Sequence, residues 1–134
     1  MYKKILVALA LDHGHGLRAM EVARRLKADG GEIIALHVIE QIPGFAGLYV
    51  TDKDENKIRK LAEEAIAERI GDQKDAETLI IAGHPGRSIT DHAEEIGADC
   101  IIVGSHKLGL TDFLLGSTAA RIVRHSPCSV HVLR

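Results

Sequence analysis

Ile101-Ile102-Val103-Gly104-Ser105-His106-Lys107-Leu108-Gly109-Leu110-Thr111-Asp112-Phe113-Leu114-Leu115-Gly116-Ser117-Thr118 is the stretch on which both the fold and the site turn. An apolar run ends at Gly104, a glycine-punctuated loop follows, and a helix opening Ser117-Thr118-Ala119-Ala120 comes next. In an α/β protein that junction lies at the carboxyl edge of the sheet. There the unpaired N–H groups of a helix start and the positive end of its dipole favour anions, phosphates above all.

Outward from that stretch, the same alternation repeats. Lys4–Leu9, Glu32–Ile39, Glu77–Ala82, Cys100–Val103 and Cys128–Leu133 read as short, near-continuously apolar strands of the kind covered on both faces. Between them lie amphipathic segments. The first carries Leu17, Met20, Val22, Ala23 and Leu26, and Asp29-Gly30-Gly31 is expected to end it as a left-handed cap. The second runs from about Asp52 to Ile70, with Ile58, Leu61, Ala62, Ala65, Ile66 and Ile70 at helical spacing. The third carries Ile89, Ala93 and Ile96 before Gly97, and the fourth spans Ser117 to His125. Strand-helix alternation of this kind predicts an open, doubly wound, mostly parallel sheet. Right-handed crossovers put every strand-to-helix loop at one edge, where ligands bind.

The bulk numbers fit one domain spanning residues 1–134. The net charge is −2 with neutral histidines and no basic run appears, which argues against nucleic acid as the main partner. The first apolar run is too short for a membrane span and has no signal-peptide pattern, so a cytoplasmic protein is expected. Cys100 and Cys128 lack metal-type spacing and read as reduced thiols. His13 and His15 are the only close histidine pair, and two donors do not close a metal site.

The loops after strands one, two and four hold the candidate site. Phe45, Tyr49 and Phe113, with Val38, can build an apolar slot for a flat base. They can equally plug the end of the sheet. Gly104 lets a ligand approach the backbone. The N–H groups and hydroxyls of Gly116, Ser117 and Thr118 suit a phosphate, although Ser and Thr are also ordinary N-caps. His106 and Lys107 can add positive charge near a phosphate tail, and Lys107 is equally plausible as a solvated lysine. Asp12 can hold a ribose hydroxyl or a magnesium ion, or serve the turn into the first helix. Neither Gly-x-x-x-x-Gly-Lys-Ser/Thr nor Gly-x-Gly-x-x-Gly occurs, which argues against a standard NTPase or dinucleotide enzyme. No catalytic constellation is visible: there is no Gly-x-Ser-x-Gly elbow and no base flanks either cysteine.

The chain resembles the universal stress proteins over its whole length. The resemblance rests on Lys3-Lys4-Ile5-Leu6-Val7-Ala8, on Gly83-His84-Pro85-Gly86, on Ala98 to His106, and most specifically on Leu114 to Leu133. It implies a Rossmann-like sheet ordered 3-2-1-4-5 and an ATP or AMP site, with magnesium as a possible companion ion. It also implies a homodimer through the last strand, here Val130, His131, Val132 and Leu133. Nucleotide-binding members have Gly, two residues, Gly, nine residues, then Gly-Ser or Gly-Thr. Mapped onto this chain, the nucleotide would meet Ala8, Leu9, Ala10, Asp12, Val38, Gly104, His106, Lys107, Gly109, Gly116, Ser117 and Thr118. Two departures stand out. Lys107 replaces the middle glycine in a loop one residue shorter, with Gly109 as a partial stand-in, a form also seen in a bacterial subgroup of the family. Ala10 stands where an adenosine-contacting aspartate is usual, a loss of about 1.5–3 kcal/mol, or roughly ten- to a hundred-fold in affinity. Any hydrolysis or autophosphorylation is expected to be slow, since no positioned general base is visible. The competing expectation is a dimeric interaction module that has lost the nucleotide.

Overall fold

The computed structural model describes residues 1–10, 15–40, 52–105 and 115–134. Its elements, in chain order, are β1 (Tyr2–Leu9), α1 (Gly16–Leu26), β2 (Lys27–Glu40), α2 (Asp52–Ile70), β3 (Glu77–Gly83), α3 (Pro85–Ile96), β4 (Cys100–Gly104), α4 (Ser117–His125) and β5 (Ser129–Leu133). The five strands form one sheet in the order β3-β2-β1-β4-β5. Every neighbouring pair is parallel. The parallel, doubly wound sheet is the one expected from the alternation of strands and helices, and its strand order is the one the family resemblance implied.

Period-two alternation along the strands divides the core into two layers. Ile5, Val7 and Leu9 of β1, Ile33 and Ala35 of β2, and Cys100 and Ile102 of β4 face one side, against Ala19, Met20 and Ala23 of α1 and Ala62, Ile66 and Ile70 of α2. Leu6, Ile34, Leu36, Val38, Ile101 and Val103 face the other, against Ile89 and Ala93 of α3 and Ala119 and Ile122 of α4. Burying both faces is what makes the strands read as unbroken apolar runs. The amino edge of β1 is tied down by the chain just before β4. Asp99 accepts the Lys3 amide at 2.8 Å and the Lys4 amide at 2.9 Å, and its own N–H reaches the Lys4 carbonyl at 3.0 Å.

One boundary differs from expectation. Asp29-Gly30-Gly31 does not cap α1, which ends at Leu26 with Lys27 already extended. The three residues instead lie inside β2, where the β1 register jumps from Tyr2↔Lys27 to Lys4↔Glu32. Gly30, at φ 74°, supplies the left-handed turn that this bulge needs. Gly-Gly signals a positive φ, and the same signal serves a helix cap or a strand bulge. α3 does end as read, on Gly97 at φ 69°, whose N–H reaches back to the Ala93 and Glu94 carbonyls.

Candidate functional site

The junction between β4 and α4 is closed at its root. Ser105, fully buried, donates its N–H to the Leu133 carbonyl at 2.7 Å, which prolongs the β4–β5 ladder by one bond. Its carbonyl accepts the Gly116 N–H at 2.6 Å. The start of α4 is therefore held directly on the carboxyl end of β4. The expectation that the Gly116 amide awaits an anion is corrected here, because that amide is already spent on Ser105. Gly116 is instead the N-cap of α4, at φ −58° and ψ 156°, and as a glycine it supplies no side-chain cap. The first intrahelical bond to this cap comes from Ala120, which donates to the Gly116 carbonyl at 2.9 Å. What remains for an oxyanion are the first-turn amides that precede it, those of Ser117 and Thr118 among them, since the first N–H groups of any helix lack an internal partner. Ser117 is exposed and Thr118 half-buried.

Beside this helix start stand the ends of β1 and β4. Gly104 is half-buried, and a Cβ there would lie 3.2 Å from Cδ2 of His15. The His15 ring, just ahead of α1, thus packs over the glycine. Leu9 is buried, Ala8 half-buried and Ala10 exposed. The Leu9 carbonyl accepts a hydrogen bond from Nδ1 of His37 at 3.0 Å, so Nδ1 carries a proton. Val38 is 7% exposed and belongs to the core on the α3–α4 side rather than to an open slot. A small, mostly apolar cleft of about 60 Å³ opens between the end of β1, α1 and α2, lined by Leu9, Ala10, Gly16, Leu17, Ile66, Arg69 and Ile70. That is well below the roughly 300–1,000 Å³ of a small-molecule pocket. A larger groove of about 580 Å³ lies elsewhere, along α2 and the beginning of β3, where Arg59 donates to the Ile80 carbonyl at 2.8 Å.

The structure therefore brings Leu9, Ala10, Gly104, Gly116, Ser117 and Thr118 to one edge. Asp12, Phe45, Tyr49, His106, Lys107, Gly109 and Phe113 lie outside the described residues. His15 was read only as half of a close histidine pair, and His37 and Ser105 escaped the reading of the site. Histidines stand after β1 and β3, at His15 and His84, and within β2 at His37, but only coordinates show which rings meet the backbone of a neighbouring strand. No group of three or more metal-ligating side chains occurs among the described residues. Neither cysteine is bonded. Cys100 is buried, and desolvation first, with the neighbouring Cys128 and Asp99 adding to it, pushes its thiol up to about 11, so it is an inert core group. Among the described residues no helix is long and apolar enough to cross a membrane.

A five-stranded, doubly wound parallel sheet with its fourth helix held on the end of the fourth strand places the chain among the open α/β, Rossmann-like folds. The comparisons with known proteins narrow that class. The family model of the universal stress protein family matches residues 1–134, and this chain belongs to that family. Universal stress protein A homolog 2 of Coxiella burnetii is 31% identical over 140 residues, covering 99% of this chain and 95% of that relative. Universal stress protein MJ0577 of Methanocaldococcus jannaschii is 32% identical over 157 residues, covering 100% and 96%. A solved structure of MJ0577 superposes with a TM-score of 0.70 at 31% identity, over 99% of this chain and 96% of that one.

Proposed function

We propose that this chain is an adenine-nucleotide-binding universal stress protein, a cytoplasmic homodimer in which ATP or AMP occupancy regulates a stress response. One observation carries the reading: α4 begins on a glycine, so its N-cap residue has no side chain to compete with a phosphate for the first-turn amides. Gly104 keeps the adjoining strand end free of any side chain of its own. Structures of the same fold in complex with cAMP, with dAMP (from Archaeoglobus fulgidus) and with AMP (from Arabidopsis thaliana) support the capacity of the fold for such ligands.

In the proposed pose the phosphates rest on the start of α4, the ribose spans Gly104, and the base lies toward the ends of β1 and β2. His106, Lys107 and Asp12 are assigned the phosphate tail, the ribose and any accompanying magnesium. The dimer is assigned to β5, which borders the sheet and carries half-buried Val130 and Val132. A nucleotide-free dimer is the second reading, favoured by the His15 ring over Gly104 and by the Gly116 amide already bonded.

Isothermal calorimetry with ATP and with AMP tests the choice. Saturable binding in the micromolar range supports nucleotide binding, and silence up to millimolar ligand leaves only the dimer module. Native mass spectrometry of the protein as purified, read for a carried-over nucleotide, is the companion measurement.

A further inference from the structure

The outer edge of β5 has a definite polarity. Because the Ser105 N–H reaches the Leu133 carbonyl, Leu133, and with it His131 and Ser129, direct their backbone groups inward to β4. Val130 and Val132 therefore direct theirs outward, to the free edge. The side chains alternate the other way. Val130 and Val132 pack toward α3 and α4, while Leu133 packs toward α1 and α2. His131 shares the Leu133 face beside Ile102 and is exposed.

Two copies that extend the sheet through β5 about a two-fold axis must pair outward-facing residues with outward-facing residues. The register that pairs all of Ser129–Leu133 with itself puts the axis on His131. Val130 then exchanges both backbone bonds with Val132 of the other copy, and the reverse. The central His131–His131 pair is of the non-hydrogen-bonded kind, whose side chains stand closest, with Cβ atoms about 4.5–5.5 Å apart.

We propose that the seam of the homodimer is this self-paired His131, and that it makes the dimer acid-labile: two neutral imidazoles sit side by side, and two imidazolium ions repel. The proposal rests on the reading of β5 as the dimer strand. Ionisable groups among the described residues on the His131 face include Cys100 of β4, a neutral thiol, and Arg18 of α1, whose guanidinium holds the Arg134 main-chain oxygen at 2.8 Å. Among the described residues no ion pair involves His131. Ordinary imidazoles take up their proton near pH 6.5. Two unit charges about 5 Å apart cost between about four-fold in the dielectric of water and about three-hundred-fold at the effective dielectric of a protein surface.

Sedimentation equilibrium of the full chain at about pH 8 and about pH 5.5 is the test, with His131→Gln and His131→Lys alongside. The expected result is a dimer that loosens at least four-fold on acidification, an H131Q dimer indifferent to pH, and an H131K chain weakened at both. A wild-type dimer of constant affinity overturns the histidine seam and leaves dimerisation standing. Monomers at both pH values for wild type and H131Q alike overturn the β5 dimer itself. His131→Cys fixes the register: a disulfide from residue 131 to its copy upholds the axial pair, and its absence under oxidation in a dimeric H131C sample overturns it.

Discussion

Replacing Gly116 with aspartate should strengthen the protein and weaken its ligand binding together. Gly116 sits at φ −58° and ψ 156°, a conformation any residue adopts, and its bond to Ser105 uses only the main chain. An aspartate there can accept from the first-turn amides of α4 that now have no side-chain cap. Relative to glycine such a cap is worth a few tenths of a kcal/mol, and its charge at the positive end of the helix adds about 0.3–1 kcal/mol. The urea midpoint should therefore rise, with a gain of about 0.5–1 kcal/mol. The same carboxylate takes the donors and the space proposed for phosphate oxygens. Losing even one charge-assisted bond removes about 1.5–3 kcal/mol, so calorimetric affinity for ATP should fall at least ten-fold. Gly116→Asn, which caps without charge, should stabilise similarly and weaken binding less. A more stable G116D protein with undiminished ATP affinity would refute the placement of phosphate on α4. A destabilised one would refute the claim that α4 lacks a cap.

Three further substitutions probe the frame around the site. Burial works to raise the Asp99 pKa, but the amides of Lys3 and Lys4 outweigh it and hold the carboxyl below its ordinary range. A carboxyl lowered on folding stabilises fully above its unfolded pKa, about 3.9, and loses that contribution as pH falls through the folded value. Asp99→Asn should thus cost about 2–3 kcal/mol at pH 7 by urea unfolding, with the gap to wild type narrowing below about pH 4; an equal gap at both would contradict the charged tie. His92 is mostly buried with Nε2 unpartnered among the described residues, while Nδ1 lies 3.5 Å from Glu95. His92→Leu should be neutral or stabilising by up to about 1.5 kcal/mol, and a loss above about 1 kcal/mol would show that Nε2 has a partner. Val38→Asp places a carboxylate in the α3–α4 core and should abolish cooperative melting along with any ligand binding; a native-like transition in V38D would move Val38 out of the core.

How much of this could be read from the chain alone divides by the range of the interactions. The existence and type of the strands and helices were legible because the central strands are covered on both faces and each helix on one, whereas the strand order came with the family resemblance. A run such as Cys100–Val103 or a stripe such as Ile89-Ala93-Ile96 therefore carries its burial in its own spacing. What the chain conceals is how local signals are spent once distant strands meet. Gly30 announces a positive φ without saying whether a helix or a strand will use it. Gly116 announces a helix start without saying that Ser105, eleven positions earlier in the chain and fixed by β5, will claim its amide. His37 looks like any strand residue until the parallel register sets it against Leu9 and its ring nitrogen finds that carbonyl. The candidate site is made of such cross-strand bonds. The sheet edge on which it would lie could be read from the motif, but which backbone donors are already bonded could be told only once the strands were in register.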